Sequence, residues 1–176
     1  AGLKNEYIDM INVDKEPFYE FKKNKYYIAD HISNNIQIDG KLDEDFWFDF
    51  DSSSSGGNYI SSFLQESPKN MIDPSFKTFV KIGYDSKNIY VGAKLFDSSP
   101  DSIQKRLGRK DDYYGTFSSF SDWFSIEFDS NHNHQSGYLY AVNASGVQLD
   151  AMVYLDSEYD IEYSAIWESS VKIVDD

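Results

Sequence analysis

The alternation of apolar and polar side chains is clearest over residues 76–97, FKTFVKIGYDSKNIYVGAKLFD. Within this stretch, alternate positions from Phe76 to Tyr84 and from Ile89 to Leu95 are apolar or favour strands. The polar segment 85–88 between the two runs is typical of a tight turn. A period of two on both sides of a turn predicts an antiparallel β-hairpin.

The same alternation predicts further short strands, at residues 35–40, 123–129, 138–143, 147–154 and 165–174. In the strand at residues 147–154, the inward positions are Val147, Leu149, Ala151 and Val153. Short helical turns are predicted at residues 41–47 and from Pro100 to Leu107. Many short strands separated by turn residues predict an all-β fold, an antiparallel β-sandwich with one or two short helical turns.

The chain has 176 residues, the usual size of one domain. Residues 1–30 mix charges with Tyr and Phe in no steady period, which predicts an extended arm or linker that orders against a partner. The β-sandwich domain is predicted over residues 31–176. Because no hairpin follows the last predicted strand, we expect this domain to be truncated at its C-terminal end and to belong to a longer polypeptide.

Charge narrows the classes of partner. Lys and Arg number 16 and Asp and Glu number 30, for a formal net charge of −14. This balance argues against nucleic acid and against an anionic membrane surface, since both need a basic face. The absence of cysteine excludes disulfides and thiolate chemistry. No apolar run is long enough for a membrane-spanning helix, so we expect no membrane insertion by this segment.

Aromatic residues make up 17% of the chain, and this surplus has two interpretations. Exposed rings stack on sugars in a binding module, whereas buried rings form the core of a sandwich. Trp47 is predicted to be a core residue, and so is Trp167, which is in phase with Val171 and Ile173. Trp123 is out of phase with the apolar positions of its strand, so we expect it outside the core. The candidate sugar-stacking residues are Trp123 together with Tyr113 and Tyr114 from the long aromatic-rich loop before it.

Carboxylates gather at predicted strand ends and turns, at Asp97, Asp111, Asp112, Asp122 and Asp129. Calcium prefers several oxygen ligands, and crowded carboxylates repel one another unless a cation lies among them. The alternative is a set of solvated acidic turns, because 30 acids also cluster by chance.

The sequence contains no nucleophile-elbow, zinc-protease or phosphate-loop motif. Paired carboxylates hydrolyse glycosides in some enzymes, but pairs arise by chance in so acidic a chain. The pair His132 and His134 has metal-ligand spacing but no third histidine nearby, which favours loop histidines that cap the backbone. We therefore expect a non-catalytic protein.

Several segments together resemble the carbohydrate-binding module family 9-like domains. They are residues 36–47 (IQIDGKLDEDFW), 76–97, 121–129 (SDWFSIEFD), 134–138 (HQSGY) and 142–150 (VNASGVQLD), in the order of that family. The likeness is strongest to a branch that precedes an outer-membrane β-barrel-like region in Bacteroidetes-type bacteria. The resemblance implies an antiparallel β-sandwich, export from the cytoplasm to the periplasm or cell surface, and structural calcium.

By this resemblance, Asp97 and Asp122, at adjacent strand ends, are the carboxylates that would hold calcium, and we add Asp112 as a third candidate. Asn143 matches a residue with which sugar-binding members hold the ligand. The arginine of those members falls at Ala141, their acidic partner near Ser125 and one clamp aromatic near Ser119. The acids that the resemblance assigns to calcium are therefore present in this chain, whereas several of the positions that contact sugar in those members carry other residues.

Two functions follow from these observations. The first is a non-catalytic, calcium-stabilised, glycan-binding module with its site at Trp123, Asn143, Tyr113 and Tyr114. The second is a protein-interaction or structural domain in an outer-membrane complex, partnered by an outer-membrane protein or by the chain's own C-terminal barrel, with the sugar site lost.

Overall fold

The computed structural model describes residues 27–50, 58–155 and 157–174, with the backbone alone at residues 49 and 50. Most of the predicted N-terminal arm, residues 1–26, lies outside these ranges. Residues 27–31 belong to the folded part, because the Tyr27 hydroxyl donates to the Ile82 carbonyl oxygen at 2.9 Å. Among the described residues, no helix is both long enough and apolar enough to cross a membrane.

The first sheet has three strands in the order β1 (Asp30–His31), β2 (Thr78–Tyr84) and β3 (Ile89–Leu95). β2 and β3 are antiparallel, with Thr78 opposite Leu95 and Tyr84 opposite Ile89. The predicted hairpin is therefore confirmed. β1 pairs with the end of β2 in the parallel direction, which makes this sheet mixed rather than purely antiparallel.

The second sheet has four antiparallel strands in sequence order: β4 (Trp123–Phe128), β5 (Ser136–Asn143), β6 (Gln148–Tyr154) and β7 (Glu158–Asp160). Two 3₁₀ helices, Asp45–Phe50 and Pro100–Ser102, and one π-helical turn, Tyr113–Phe117, are the helical elements of the described chain. The all-β, sandwich-like fold class is confirmed.

Each sheet carries its own apolar cluster. On the first sheet, Trp47 of the 3₁₀ helix is buried with Ile32 and Ile36, as its core assignment predicts. The helix lies so close to β3 that a Cβ placed on Gly92 would meet the Trp47 ring at 2.7 Å. Glycine at that position therefore allows the helix to approach the sheet.

The cluster of the second sheet lies on one face of β5 and β6 and consists of Leu139, Ala141, Val147, Leu149, Ala151, Val153 and Phe117. The inward positions predicted for β6 are confirmed. Phe117 comes from the long segment between β3 and β4, and it has no exposed surface. That segment therefore covers a core and is more than a surface loop.

Two predicted strands are wrong. Residues 165–174 form no strand, because no described strand pairs with their backbone. Their side chains still alternate in exposure up to position 170, because every second side chain packs against the second sheet. Val171 and Ile173, predicted to be core in phase with Trp167, are 38% and 37% exposed.

Residues 35–40 also form no strand. The backbone N–H of Gln37 donates to the Glu44 side chain at 2.8 Å instead of to a neighbouring strand. The alternation there reflects the burial of Ile36 next to the exposed Ile38. The helical turn predicted from Pro100 to Leu107 is restricted to Pro100–Ser102.

Candidate functional site

The segment from Ile103 to Ser121 crosses the second sheet and is fixed near its start and in its middle. Near β4, the Asp122 N–H donates to the Gln104 carbonyl oxygen at 2.9 Å, and the Asp122 carboxylate accepts from the Gln104 N–H at 2.9 Å. Near β6, the Asp111 N–H donates to the Gln148 carbonyl oxygen at 3.1 Å. We call residues 103–121 the crossing segment.

The side chain of Asn143, on β5, holds the crossing segment against the sheet, and Asn143 is only 1% exposed. Its amide nitrogen donates to the Arg106 carbonyl oxygen at 2.8 Å, and its amide oxygen accepts from the Val147 N–H at 2.9 Å. These bonds use both ends of the amide within the protein. The structure places Asn143 among the residues that build the site, not among those that a ligand can reach.

Asp112 shapes the π-helical turn. Its carboxylate accepts from the Gly115 N–H at 2.9 Å and from the Thr116 hydroxyl at 3.3 Å. A side-chain oxygen that accepts from the first turn in this way compensates backbone donors that have no other partner. The cap places Tyr113 and Tyr114 outward and Phe117 inward, as their exposures show.

Tyr113, Tyr114 and Trp123 lie together on the outside of the second sheet, and we call these three residues the aromatic surface. The Tyr113 ring centroid is 5.2 Å from that of Tyr114 and 6.4 Å from that of Trp123, both in edge-to-face geometry. Tyr114 is 79% exposed, and Tyr113 and Trp123 are each 37% exposed. The sequence predicted these residues, and the structure brings them together.

The Trp123 ring is held from the inside by Phe117, at 5.8 Å between centroids and nearly perpendicular. One part of Trp123 therefore packs on the buried cluster while another part faces solvent. A ring fixed in this way loses little conformational entropy when a ligand stacks on it.

Tyr159 on β7 and Glu127 on β4 extend this face of the sheet. The Tyr159 hydroxyl donates to the Glu127 carboxylate at 3.0 Å, and Tyr159 is 50% exposed. Partial burial, and then the hydrogen bond to Glu127, raise the pKa of Tyr159 above its ordinary value. Sequence reasoning did not identify this pair, because β7 is a three-residue strand without a periodic signal.

Arg106 and Phe120 are in contact within the crossing segment, close to the start of β4. The Arg106 guanidinium lies over the Phe120 ring, 4.9 Å from its centroid. Such a cation–π contact orients the guanidinium group without neutralising it.

A buried charge cluster lies under the other face of β6, and sequence reasoning missed it. The Asp150 carboxylate is fully buried and accepts from Lys110 Nζ at 2.7 Å, from the Trp167 indole N–H at 3.0 Å and from the Ala165 N–H at 2.7 Å. Burial by itself raises the pKa of Asp150, but the hydrogen bonds from Lys110, Trp167 and Ala165 outweigh it, so the pKa lies below its ordinary value. The one available signal was an aspartate in mid-strand, which is uncommon.

This cluster ties three parts of the chain together. Lys110 belongs to the crossing segment, and Trp167 belongs to the extended segment after β7, where its ring packs 5.4 Å from Tyr140. Asp111 reinforces the connection, since its carboxylate accepts from the Asp150 N–H at 2.9 Å. Tyr113 and Tyr114 of the aromatic surface therefore follow closely on the part of the crossing segment that the Lys110–Asp150 ion pair fixes.

The predicted metal ligands lie at separate turns. Asp97 follows β3 and accepts from the Ser99 N–H at 2.7 Å, and Asp122 precedes β4 and accepts from the Gln104 N–H. Asp112 uses its carboxylate at the π-helical turn. In the described parts of the chain, no group of three or more His, Cys, Asp or Glu side chains is placed to hold a metal ion. The calcium site stays a prediction.

Comparisons with protein-family models, with curated proteins and with solved structures found no match for this chain.

Proposed function

We propose that this chain is a non-catalytic carbohydrate-binding module that holds its ligand on the aromatic surface. The observation that carries the proposal is the grouping of Tyr113, Tyr114 and Trp123, partly exposed, on one face of the second sheet. Sugar rings present C–H groups on their faces, and these pack well against exposed aromatic rings. An open aromatic surface suits a glycan chain that lies along it.

The internal role of Asn143 changes the predicted site. The amide belongs to the fixed frame, so ligand contacts are assigned to the three rings, with Glu127 and Tyr159 as nearby polar groups. The family resemblance remains an expectation beside this geometry, as do export to the periplasm or cell surface and association with the outer membrane.

Isothermal titration calorimetry with cello-, xylo- and uronate oligosaccharides tests the proposal. Trp123→Ala and Tyr114→Ala should each weaken binding at least tenfold, which corresponds to about 1.4 kcal/mol. Tyr114 is the cleaner probe, because Trp123 also packs on Phe117. The matched control is Tyr154→Ala, since Tyr154 is 40% exposed on the opposite face and at the far end of the sheet.

The proposal fails if no oligosaccharide binds to the folded protein with calcium present. It also fails if Tyr154→Ala weakens binding as much as Tyr114→Ala does, because the ligand would then not depend on this surface.

A protein-interaction function is the second candidate, and it rests on the extended segment after β7. Ile166 on that segment is fully exposed, and the segment has no backbone ladder with any described strand. Exposed apolar residues beside an unpaired backbone favour addition of a strand from another protein. Ile166→Ser should then reduce capture of outer-membrane proteins by the chain without altering its melting temperature.

A further inference from the structure

We propose that the glycan bound at the aromatic surface is acidic, and that Arg106 and Arg109 bind its carboxylate or sulfate groups. This inference rests on the proposed function and specifies its class of ligand. The observation behind it is a basic stretch on the crossing segment, beside the exposed rings, in a chain that is otherwise strongly acidic.

The basic residues of the chain are distributed unevenly. Four of the 16 lie within residues 105–110, KRLGRK, and the two arginines of the whole chain, Arg106 and Arg109, are both among them. Arginine offers a planar set of N–H donors that pairs with a carboxylate or a sulfate in bidentate geometry. Its confinement to one short segment points to a local role in binding.

Two contacts place this stretch next to the elements that carry the aromatic surface, the start of β4 and the π-helical turn. The Arg106 N–H donates to the Ser121 hydroxyl at 3.1 Å, two residues before Trp123, and the guanidinium of Arg106 lies on Phe120. On the other side, Gly108 packs against the Thr116 side chain of the π-helical turn, so closely that a Cβ there would overlap it. Arg109 directly follows this contact.

The four basic residues of this stretch differ in whether a carboxylate of the protein already pairs with them. Lys110 forms an ion pair with the buried Asp150. Lys105, Arg106 and Arg109 are exposed, and none of them has an ion pair with a carboxylate of the described residues. These three charges are therefore free to meet an anionic ligand.

The neighbouring carboxylates are held by the protein itself. Asp111 accepts from the Asp150 N–H, Asp112 from the Gly115 N–H and Asp122 from the Gln104 N–H. Their lone pairs accept from backbone N–H groups, whereas neither guanidinium has an ion pair with a carboxylate of the described residues, and that of Arg106 lies on the Phe120 ring. A hydrogen bond from an N–H group does not remove a carboxylate's charge, so the attraction of an anion to this surface rests on Lys105, Arg106 and Arg109, within a chain of net charge −14.

An acidic glycan fits this arrangement better than a nucleic acid does. Nucleic acids carry closely spaced phosphates and need a basic face along their whole contact. The free cations here form one short patch, and the rest of the chain carries the large excess of acids. A polysaccharide with an acid group on some of its sugars would place its rings on the aromatic surface and its charges on the two arginines.

Calorimetry on the full chain tests the inference with four probes: a cello-oligosaccharide, an oligogalacturonate of equal length, a sulfated chondroitin oligosaccharide and oligo-dT. We expect an acidic glycan to bind at least ten times more tightly than the neutral one, and its affinity to fall as salt rises. The carboxylated and sulfated probes distinguish the two kinds of acid group.

The decisive variant is R106Q/R109Q, whose side chains are exposed. It should lose at least tenfold in affinity for the acidic glycan while its affinity for the cello-oligosaccharide changes less than twofold. The matched control is K69Q/K87Q, which removes the same charge at exposed positions outside the crossing segment. It should retain the preference for the acidic probe.

Three results would overturn the inference alone, and a fourth would overturn the proposed function with it. Binding of the neutral oligosaccharide alone would reject the acidic ligand and leave the proposed function intact. Equal losses in R106Q/R109Q and K69Q/K87Q would reduce the effect to overall charge, and oligo-dT binding as tight as that of the glycans would make the patch a general anion site. Absence of binding to all three glycans would reject the proposed function itself.

Discussion

A single buried carboxylate, Asp150, holds two segments of the chain against the second sheet. It accepts hydrogen bonds from Lys110, from the Trp167 indole and from the backbone of Ala165. A buried charge is tolerated only when its lone pairs are satisfied in this way. One residue on β6 thus holds both the crossing segment and the segment that follows β7.

Asp150→Asn tests this role at the residue scale. The change removes the charge that pairs with Lys110 and places an amide where three donors converge, so we expect the free energy of unfolding to fall by about 2 kcal/mol. Lys110 is 37% exposed on its side chain, and solvent moderates the loss. Urea unfolding measures the effect. Asp73→Asn, at an exposed site, is the control and should change stability by less than about 0.5 kcal/mol; an equal loss in both variants would contradict the assigned role.

The β2–β3 hairpin illustrates how one element encodes its own geometry. Asp85 accepts from the backbone N–H groups of Lys87 and Asn88, both at 2.7 Å, and from the Tyr90 hydroxyl at 2.9 Å. These bonds close the turn locally and fix the register of the two strands. Because all of them lie within six residues, the sequence predicted the hairpin correctly.

The same turn leads to a pH prediction. The backbone N–H groups of Lys87 and Asn88, followed by the Tyr90 hydroxyl, lower the pKa of Asp85 from 3.8 to about 2. A pKa that is lower in the folded state stabilises the fold above pH 3.8, and this contribution is lost as the pH falls from 3.8 towards about 2.

Asp85→Asn should therefore flatten the decline of the melting temperature over this interval. Circular dichroism melts at pH 2–5 measure it, with Asp73→Asn as control, and an unchanged slope would show that the turn does not depend on the carboxylate charge.

At the scale of the whole molecule, the two sheets are covered separately. The first sheet is covered by residues 32–47 around Trp47, and the second by the crossing segment around Phe117. A groove of about 520 Å³, lined by the β2–β3 turn, Ala29 and Phe128 of β4, lies where the two sheets approach each other. The aromatic surface also depends on the tertiary fold, since its rings come from a turn and from a strand that the fold brings into contact.

Calcium binding is also tested on the whole molecule. An ion bound only by the native state, at a free concentration of about 100 times its dissociation constant, stabilises that state by about 2.7 kcal/mol. For a domain of this size, the melting temperature should then be about 5–10 °C higher with calcium than with a chelator. Asp97→Asn and Asp122→Asn should abolish the difference, whereas Asp73→Asn should keep it. Equal melting temperatures with calcium and with chelator would identify the acids as a hydrated surface.

The sequence by itself determined the all-β class, the hairpin, the inward face of β6 and the three residues of the aromatic surface. The first three, and the outward position of Trp123, depend on alternation along a strand or on bonds between near neighbours, which a linear pattern records. Tyr113 and Tyr114 were candidates because they are aromatic residues in a predicted loop. The alternation at residues 165–174 was equally regular, yet it yields no strand, because a ladder requires a partner that the pattern cannot supply.

Only the tertiary structure decided which polar residues build the site and which are free to bind. Asn143 and Asp112 are used internally, Lys110 is taken by Asp150, and Arg106 and Arg109 are left to solvent. The partners of Asn143 and Asp150 lie up to 39 positions away along the chain. Burial and hydrogen bonding over such separations depend on how the segments pack, which no local pattern in the sequence contains.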